Sequence, residues 1–328
     1  MTGMNTPLLS VRDLQVTFKV RGEGAWPWSP AARLQAVSGV GFDLHEGETL
    51  GIVGESGCGK STLARAILNL VPSSGGQVAW RGQVLDPRRP QDWQAVRREA
   101  QMVFQDPLAS LDPRMNILQI VSEPLRTHEP QLPAGQVRDR VVAMLERVGL
   151  SAAQLYRYPH EFSGGQCQRI GIARALILRP RLLVCDEPVS ALDVSIQAQT
   201  INLLQDLQRE MGLAMVFIAH DLAVVRHVSQ RVLVMYLGRT MELASREALF
   251  DAPRHPYTQA LLSAVPVPDP AAERARQVTL LSGDLPSPIH PPAGCAFHTR
   301  CPRAEARCAT QRPVLQDQAG RQVACWLA

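Results

Sequence analysis

The stretch "TLGIVGESGCGKSTLARAI", residues 49–67, determines the fold. An apolar run ends at Val53, a glycine-rich loop follows, and apolar residues then recur at helical spacing. The loop fits the pattern G-x4-G-K-[ST], in which backbone N–H groups wrap phosphates, Lys60 reaches the β- and γ-phosphates and Ser61 binds Mg²⁺. Because a strand precedes the loop and a helix follows it, the pattern indicates a nucleoside triphosphate site rather than a chance glycine turn. The residues predicted to contact ATP here are Gly54, Glu55, Ser56, Gly57, Cys58, Gly59, Lys60, Ser61 and Thr62.

A second glycine-rich helix start lies about a hundred residues later, in "FSGGQCQRI" at 162–170. A serine and two glycines precede good helix formers, so backbone N–H groups are exposed toward a negative group. One phosphate loop does not explain why the chain has two anion-seeking helix starts.

Polar side chains follow three apolar runs that are typical of buried parallel strands. Asp186 and Glu187 end "LLVCDE", His220 ends "AMVFIAH", and Gln105 ends "QMVFQ". Open α/β sheets bind ligands at the carboxyl ends of their strands. We therefore expect Asp186 to hold Mg²⁺, Glu187 to accept the proton of the attacking water, and Gln105 to contact Mg²⁺ or that water. Taken alone, the acidic pair is equally well explained as a helix cap, and a lone histidine is more often structural.

Composition describes an ordinary soluble globular chain. It has 328 residues, 45% apolar and 20% charged, with a mild net charge of +4 that favours no nucleic-acid partner. No run of eighteen apolar residues and no signal peptide is found, so we expect a cytoplasmic protein with reduced thiols.

An α/β alternation runs through most of the chain but is interrupted over about residues 106–165, where helical periodicity dominates. Val137, Val141, Met144, Leu145 and Val148 share one helical face there. Beyond 258, a proline-rich linker at 265–270 leads to a tail rich in proline and cysteine. We therefore expect a nucleotide-binding domain over residues 1–258, with a helical subdomain at about 106–165, and a small extension over 259–328.

The phosphate loop, Gln105, "FSGGQ", "CDEP", "SALD" and His220, in this order, resemble the ATP-binding cassette of ABC transporters over about residues 8–258. The resemblance implies an α/β fold with a RecA-like P-loop core, a helical subdomain and an antiparallel β edge. In that family two cassettes pack head to tail, and each lends its second glycine helix to the ATP held by the other. This explains the two helix starts.

By this resemblance, residues of both "FSGGQ" and "SALD" serve the partner's ATP: Ser163, Gly164, Gly165 and Gln166 contact its γ-phosphate, and Asp193 communicates across the interface. His220 reaches the γ-phosphate, and Phe18 stacks on adenine by family position, with Trp26 and Trp28 as competitors. Phe162 replaces the leucine usual at its position but remains apolar.

Longer segments, among them "HEFSGGQCQRIGIARALI" and "HPYTQALLSAVPVPDP", resemble the oligopeptide/dipeptide branch of importers. That implies an ATPase bound peripherally at the cytoplasmic face of the inner membrane. Its partners would be a second, different ATPase chain, two membrane permease subunits and an extracytoplasmic peptide-binding protein. Residues 106–115 would couple ATP to the permeases through Leu111 and Met115.

Four of the seven cysteines, Cys295, Cys301, Cys308 and Cys325, lie in the extension. A reducing compartment disfavours disulfides, and zinc sites usually have closer pairs. Chemistry alone leaves open whether these thiols bind a metal or are reduced core residues. The family resemblance implies a [4Fe–4S] cluster. Because the cysteines lie beyond the linker, we expect the cluster to be away from the phosphate loop and Cys301→Ser to remove the cluster but leave the ATP site unaffected.

Two other functions fit parts of the sequence. An ABC ATPase of DNA repair would carry long heptads or large inserts between its motifs, and a translation factor would carry two cassettes. A redox- or metal-sensing regulator would need no intact Glu187 and His220. We therefore expect ATP-driven peptide import.

Overall fold

The secondary structure is that of a computed structural model, which describes residues 6–21, 31–190, 192–266, 269, 273–274, 279, 281–318 and 320–328. The strands are β1 Leu9–Val20, β2 Ala32–Leu44, β3 Thr49–Val53, β4 Gly75–Trp80, β5 Gln83–Val84, β6 Ala100–Val103, β7 Leu182–Asp186, β8 Ala214–Ile218, β9 Arg231–Tyr236, β10 Arg239–Ser245, β11 Gln316–Gln318 and β12 Arg321–Val323. The helices are α1 Lys60–Ile67, α2 Pro90–Glu99, α3 Ile117–His128, α4 Ala134–Arg147, α5 Gly164–Leu176, α6 Val194–Met211, α7 Leu222–Val228, α8 Arg246–Asp251, α9 Pro256–Ser263 and α10 Ala306–Thr310. No helix in these ranges has the length and apolar composition needed to cross a bilayer.

The chain divides into two interleaved compact units. The phosphate-loop unit comprises Leu9–Asp43, Leu50–Pro87 and His220–Ala328. The FSGGQ unit comprises Met1–Leu8, Leu44–Thr49 and Arg88–Ala219.

In the phosphate-loop unit, β3 pairs in parallel with β9, from Leu50↔Arg231 to Val53↔Val234. Antiparallel pairing continues through β10 and β12 to β11. A second sheet has the order β2-β1-β4-β5, with β1 antiparallel to β4. All five residues of β3 are buried, which fixes the start of the following loop in a rigid sheet. The antiparallel sheet is the β edge that the resemblance implied.

In the FSGGQ unit, β6, β7 and β8 form parallel pairs. All residues of β7 and β8 are buried, as their continuous apolar sequences predict. Helices α3, α4 and α5 pack on one another. Helix α4 buries Val137, Val141, Met144 and Leu145, which confirms the face predicted from periodicity.

The extension is joined to the sheet of the phosphate-loop unit. Strand β12 extends β10 in antiparallel fashion, with Glu242 opposite Val323. The predicted linker at 265–270 lies partly outside the described residues. The extension therefore packs on the unit that carries the phosphate loop, which its distance in sequence did not predict.

Candidate functional site

The phosphate loop depends on glycine at two positions where the backbone passes close to a carbonyl oxygen. Gly54 has φ of 154°, and a Cβ there would lie 2.2 Å from the carbonyl oxygen of Met235. Gly59 has φ of 103°, and a Cβ would lie 2.0 Å from that of Ala36. Side chains are excluded at both places by sterics and by backbone conformation. The strands around the loop thus fix its path.

The Lys60 side chain stabilises the phosphate loop through hydrogen bonds to its backbone. Its Nζ donates to the carbonyl oxygens of Gly54 and Glu55, at 2.9 and 3.2 Å, and the residue is 4% exposed. Helix α1 begins at Lys60, so its first N–H groups point toward the loop. Burial raises the pKa of the Cys58 thiol, so this side chain stays neutral inside the loop. Ser61 and Thr62 follow in the first turn of α1.

Glu187 and Gln105 are brought together in the FSGGQ unit. Gln105 Nε2 donates to Glu187 Oε2 at 3.0 Å, although the two are 82 positions apart. Glu187 has φ of +46°, a conformation that costs a non-glycine residue on the order of 1–3 kcal/mol and is typical of functional sites. Its backbone N–H donates to Ile218 at 3.1 Å. Asp186, the last residue of β7, is fully buried.

The FSGGQ segment begins helix α5 with a reciprocal cap. Ser163 Oγ accepts from the N–H of Gln166 at 3.4 Å, and Gln166 Oε1 accepts from the N–H of Ser163 at 3.0 Å. Such caps contribute about 1 kcal/mol. A Cβ on Gly165 would meet Ile196 at 2.6 Å, whereas Gly164 is exposed. The helix start is therefore ordered and open to an anion.

Other predicted residues occupy exposed positions. His220 is exposed, and Phe18 on β1 is 38% exposed. Asp193 is exposed at the N-cap of α6 without a capping hydrogen bond, next to Val194, which is 84% exposed. Trp26 and Trp28 lie outside the described residues.

The four cysteines of the extension lie near one another as free thiols. The N–H of Cys295 donates to the carbonyl oxygen of Cys308 at 2.8 Å. Burial raises the pKa of Cys295, Cys301 and Cys325, and neighbouring cysteine charges raise it further. Within the part of the chain that the structure describes, however, no three His, Cys, Asp or Glu side chains are arranged to hold a metal ion. The metal part of the prediction therefore stays a prediction.

Two residues without a recognisable nucleotide-binding pattern, Tyr257 and Arg300, contact the phosphate loop. Tyr257 Oη accepts a hydrogen bond from the N–H of Glu55 at 2.9 Å, and Arg300 Nη1 donates to Glu55 Oε2 at 2.8 Å. Arg300 directly precedes Cys301. The expectation that the extension lies away from the phosphate loop is therefore wrong. The effect of Cys301→Ser on the ATP site stays a prediction.

The burial of Leu111 differs from the expectation that this side chain contacts a permease. Leu111 is 2% exposed, whereas Leu108, three positions earlier, is 53% exposed. Leu111 belongs to the core and is not available to a membrane subunit. Leu108 is the large apolar side chain that residues 106–115 expose to solvent.

A glycine phosphate loop, strand-end carboxylates and a capped FSGGQ helix on an α/β scaffold define an ATP-binding cassette ATPase. The family model "ABC transporter" matches residues 37–190, and "Oligopeptide/dipeptide transporter, C-terminal region" matches residues 241–308.

Solved cassettes share the fold. CbiO1 from Clostridium perfringens, part of the ABC transporter complex cbiONQ, matches with a TM-score of 0.63 at 27% identity, over 75% of this chain and 92% of its own. A dimeric ATP-binding cassette in a post-hydrolysis state, bound to ADP and Pi, matches with a TM-score of 0.64 at 28% identity, over 73% of this chain and 98% of its own.

Relatives match nearly the whole chain. The oligopeptide transport ATP-binding proteins OppF of Escherichia coli K12 and Salmonella typhimurium LT2 are each 60% identical, over 97% of this chain and 95% of theirs. That of Haemophilus influenzae is 57% identical, over 95% of this chain and 94% of its own. The chain therefore belongs to the ABC transporter family, among the oligopeptide transport ATP-binding proteins, and it is an ATPase.

Proposed function

We propose that this chain is the ATP-hydrolysing subunit that powers import of oligopeptides or dipeptides across the cytoplasmic membrane. The observation that carries this function is 60% identity to OppF proteins across 97% of the chain. The match to the oligopeptide/dipeptide transporter C-terminal model supports the peptide branch in particular. Cassettes for other cargoes share the nucleotide motifs, so those motifs alone would not select peptides.

In the hydrolytic site, the phosphate loop binds the ATP phosphates and Lys60 leaves its loop carbonyls to contact them. Ser61, Gln105 and Asp186 hold Mg²⁺, and Glu187 accepts the proton of the attacking water. The hydrogen bond between Gln105 and Glu187 supports these paired roles. His220 contacts the γ-phosphate, and Phe18 stacks on the adenine.

The second helix start serves the ATP of a partner cassette. Ser163, Gly164, Gly165 and Gln166 contact the partner's γ-phosphate, and Asp193 lies at the interface. The ordered, exposed start of α5 supports this role, because such a helix N-terminus attracts anions. A solved relative of the same fold is dimeric and bound to ADP and Pi.

The partners are a second, different ATPase chain, two membrane permease subunits and an extracytoplasmic peptide-binding protein, with no nucleic acid. The chain acts as a peripheral protein at the cytoplasmic face of the inner membrane. The exposed Leu108 in residues 106–115 supports docking of this stretch on a permease. Residues 1–258 act as the cassette, with the helical subdomain at about 106–165, and 259–328 as the extension.

Reconstitution tests the whole function. A tagged chain should copurify with two membrane subunits and a second ATPase. In proteoliposomes, ATP hydrolysis should rise when a peptide-loaded binding protein is added. ATPase activity that ignores the loaded binding protein would favour a non-transport ABC ATPase of DNA repair or translation. Loss of ATPase only on thiol oxidation, with no transport, would favour a redox sensor.

For the extension, we propose that Cys295, Cys301, Cys308 and Cys325 hold a [4Fe–4S] cluster. The thiols lie near enough to influence one another's charge. Burial raises the pKa of Cys295, Cys301 and Cys325, and a hydrogen bond that each accepts from the N–H two residues later offsets part of that rise. In a cubane cluster each thiolate binds its own iron. Cluster ligands therefore stand further apart than the ligands of one ion. When bound, the cluster would supply a crosslink or one-electron chemistry.

A further inference from the structure

Glu55 in the phosphate loop is contacted by two segments from late in the chain. Its backbone N–H donates to Tyr257 Oη at 2.9 Å, and its carboxylate accepts from Arg300 Nη1 at 2.8 Å. The Arg300 and Glu55 side chains are 10% and 27% exposed, so solvent screens this ion pair less than a surface pair. The phosphate loop and the extension are therefore in contact, and both belong to the same compact unit.

Arg300 is held by an aromatic cluster, which consists of Tyr236, Tyr257 and Phe297. The ring centroids are 4.8 Å apart for Tyr236 and Tyr257, and Phe297 lies 5.3 and 5.2 Å from them. The three rings are almost fully buried, and the guanidinium lies over Tyr236 at 6.0 Å. The segment from Phe297 to Arg300 therefore has little freedom to move relative to the loop.

Arg300 is buried at an energetic cost that its contact with Glu55 offsets. Its Nε is buried without a hydrogen-bond partner. Its Nη1 donates to Glu55 Oε2 at 2.8 Å and to Tyr236 Oη at 3.5 Å. A guanidinium in this setting is stable only while a carboxylate faces it.

Glu55 sits where its charge matters for ATP. Its carbonyl oxygen accepts from Lys60 Nζ at 3.2 Å and from the N–H of Cys58 at 3.2 Å, so its backbone is part of the loop that faces the phosphates. A free carboxylate at this place would repel the phosphates, because like charges at short range destabilise each other. Pairing with Arg300 neutralises that charge and turns it toward the extension.

We infer that Arg300 is a positioning residue for ATP binding, which acts through Glu55. It holds the Glu55 carboxylate away from the phosphates and fixes the loop in its binding conformation. This role of Arg300 rests on the proposed ATP-binding function of the loop. It adds a link by which the cysteine-bearing extension affects nucleotide affinity.

The test is a double-mutant cycle on ATP affinity with the full-length chain, measured by titration with a fluorescent ATP analogue. Arg300→Met should weaken binding about tenfold, which corresponds to about 1.4 kcal/mol. In the Glu55→Gln background the same change should cost less than about twofold, because the carboxylate it neutralises is gone. Arg300→Lys keeps the charge and should restore part of the affinity.

Two controls separate this role from general damage. Arg307, in the same extension, pairs with Glu305 at 2.9 Å, and Arg307→Met should bind ATP like the unaltered chain. Lys60→Ala should lose ATP affinity whatever the role of Arg300. If Lys60→Ala binds normally, the phosphate-loop function itself is wrong.

If Lys60→Ala is impaired but Arg300→Met is within twofold of the unaltered chain, the role of Arg300 is refuted. Equal losses for Arg300→Met in the unaltered chain and in the Glu55→Gln background also refute it, since that would show action independent of the carboxylate. If Arg300→Met does not fold, Arg300→Gln supplies the same comparison, with thermal unfolding as the check that both proteins are native.

Discussion

The amide of Gln105 donates a hydrogen bond of 3.0 Å to the carboxylate of Glu187, and both residues follow parallel strands of one unit. The Gln105 amide therefore orients the Glu187 carboxylate by a side-chain hydrogen bond. Glu187 also has a left-handed backbone, with φ of +46°, so its position is imposed by the fold. The Glu187 carboxylate is therefore positioned by Gln105 as well as by its own backbone.

Glu187→Gln should preserve ATP binding and lower the hydrolysis rate by about 10²–10⁴-fold, because the variant cannot accept the proton of water. Single-turnover ATPase assays on the assembled transporter measure the loss. Asp206→Asn, an exposed carboxylate change on α6, is the control and should hydrolyse ATP normally. Hydrolysis at the normal rate by Glu187→Gln would rule out the general-base role.

Lys60→Ala should weaken ATP binding about 10- to 100-fold, the loss expected for charge-assisted hydrogen bonds to phosphate. The Lys60 side chain also donates hydrogen bonds to two carbonyl oxygens of the loop, so the variant loop would lose these contacts as well. Arg65→Ala, on the exposed side of α1, removes a positive charge nearby and should leave affinity unchanged. Equilibrium titration distinguishes the two, and normal affinity in Lys60→Ala would contradict the phosphate-loop assignment.

Leu108→Ala and Leu111→Ala form a matched pair, the same substitution at 53% and 2% exposure. Leu111→Ala should lower the free energy of unfolding by about 2–5 kcal/mol, because it opens a cavity. Leu108→Ala should change stability by less than about 0.5 kcal/mol but uncouple peptide uptake from ATP hydrolysis. Chemical denaturation and proteoliposome uptake check the pair. Full uptake by Leu108→Ala would refute docking of a permease on this side chain.

His255 should make stability fall in mild acid. Burial lowers its pKa from 6.5 to about 4, so the unfolded chain binds a proton that the folded chain excludes. The stability due to neutral His255 is complete above pH 6.5 and is lost as pH falls toward 4, by about 3 kcal/mol. His255 Nδ1 accepts the N–H of Tyr257 at 3.0 Å, so His255→Asn keeps an acceptor for that cap. Urea unfolding at several pH values should show a flatter dependence in His255→Asn, and equal slopes would contradict the assignment.

Two measurements test whether the four cysteines of the extension bind a [4Fe–4S] cluster. Anaerobically purified protein should be brown, with about four iron and four sulfide per chain. Cys301→Ser should remove the cluster and, because Cys301 follows Arg300, weaken ATP binding as well. Cys167→Ser, a buried cysteine of the FSGGQ unit, should keep the iron. Stoichiometric zinc would refute the cluster but keep a metal site, and a metal-free chain with four freely alkylated thiols would refute both.

The nucleotide motifs and most core elements could be predicted from the sequence, because they depend on local patterns. The glycine loop, the apolar runs of β7 and β8, and the buried face of α4 each occupy one continuous segment. The contact of Arg300 with Glu55 could not be predicted, since 245 positions separate the two and no periodicity links them. The burial of Leu111 was also missed, because an irregular segment has no repeat that assigns its faces.

The separation of Glu55 from Arg300 has a consequence for biosynthesis. At about 5–20 residues per second, a ribosome needs roughly 12–50 seconds to pass from one codon to the other. A nascent chain therefore lacks the Arg300 contact with Glu55 until nearly all of it has been made. With the proposed role of Arg300, truncated products that lack residue 300 would bind ATP less tightly than full-length chains and would be at a disadvantage in assembly.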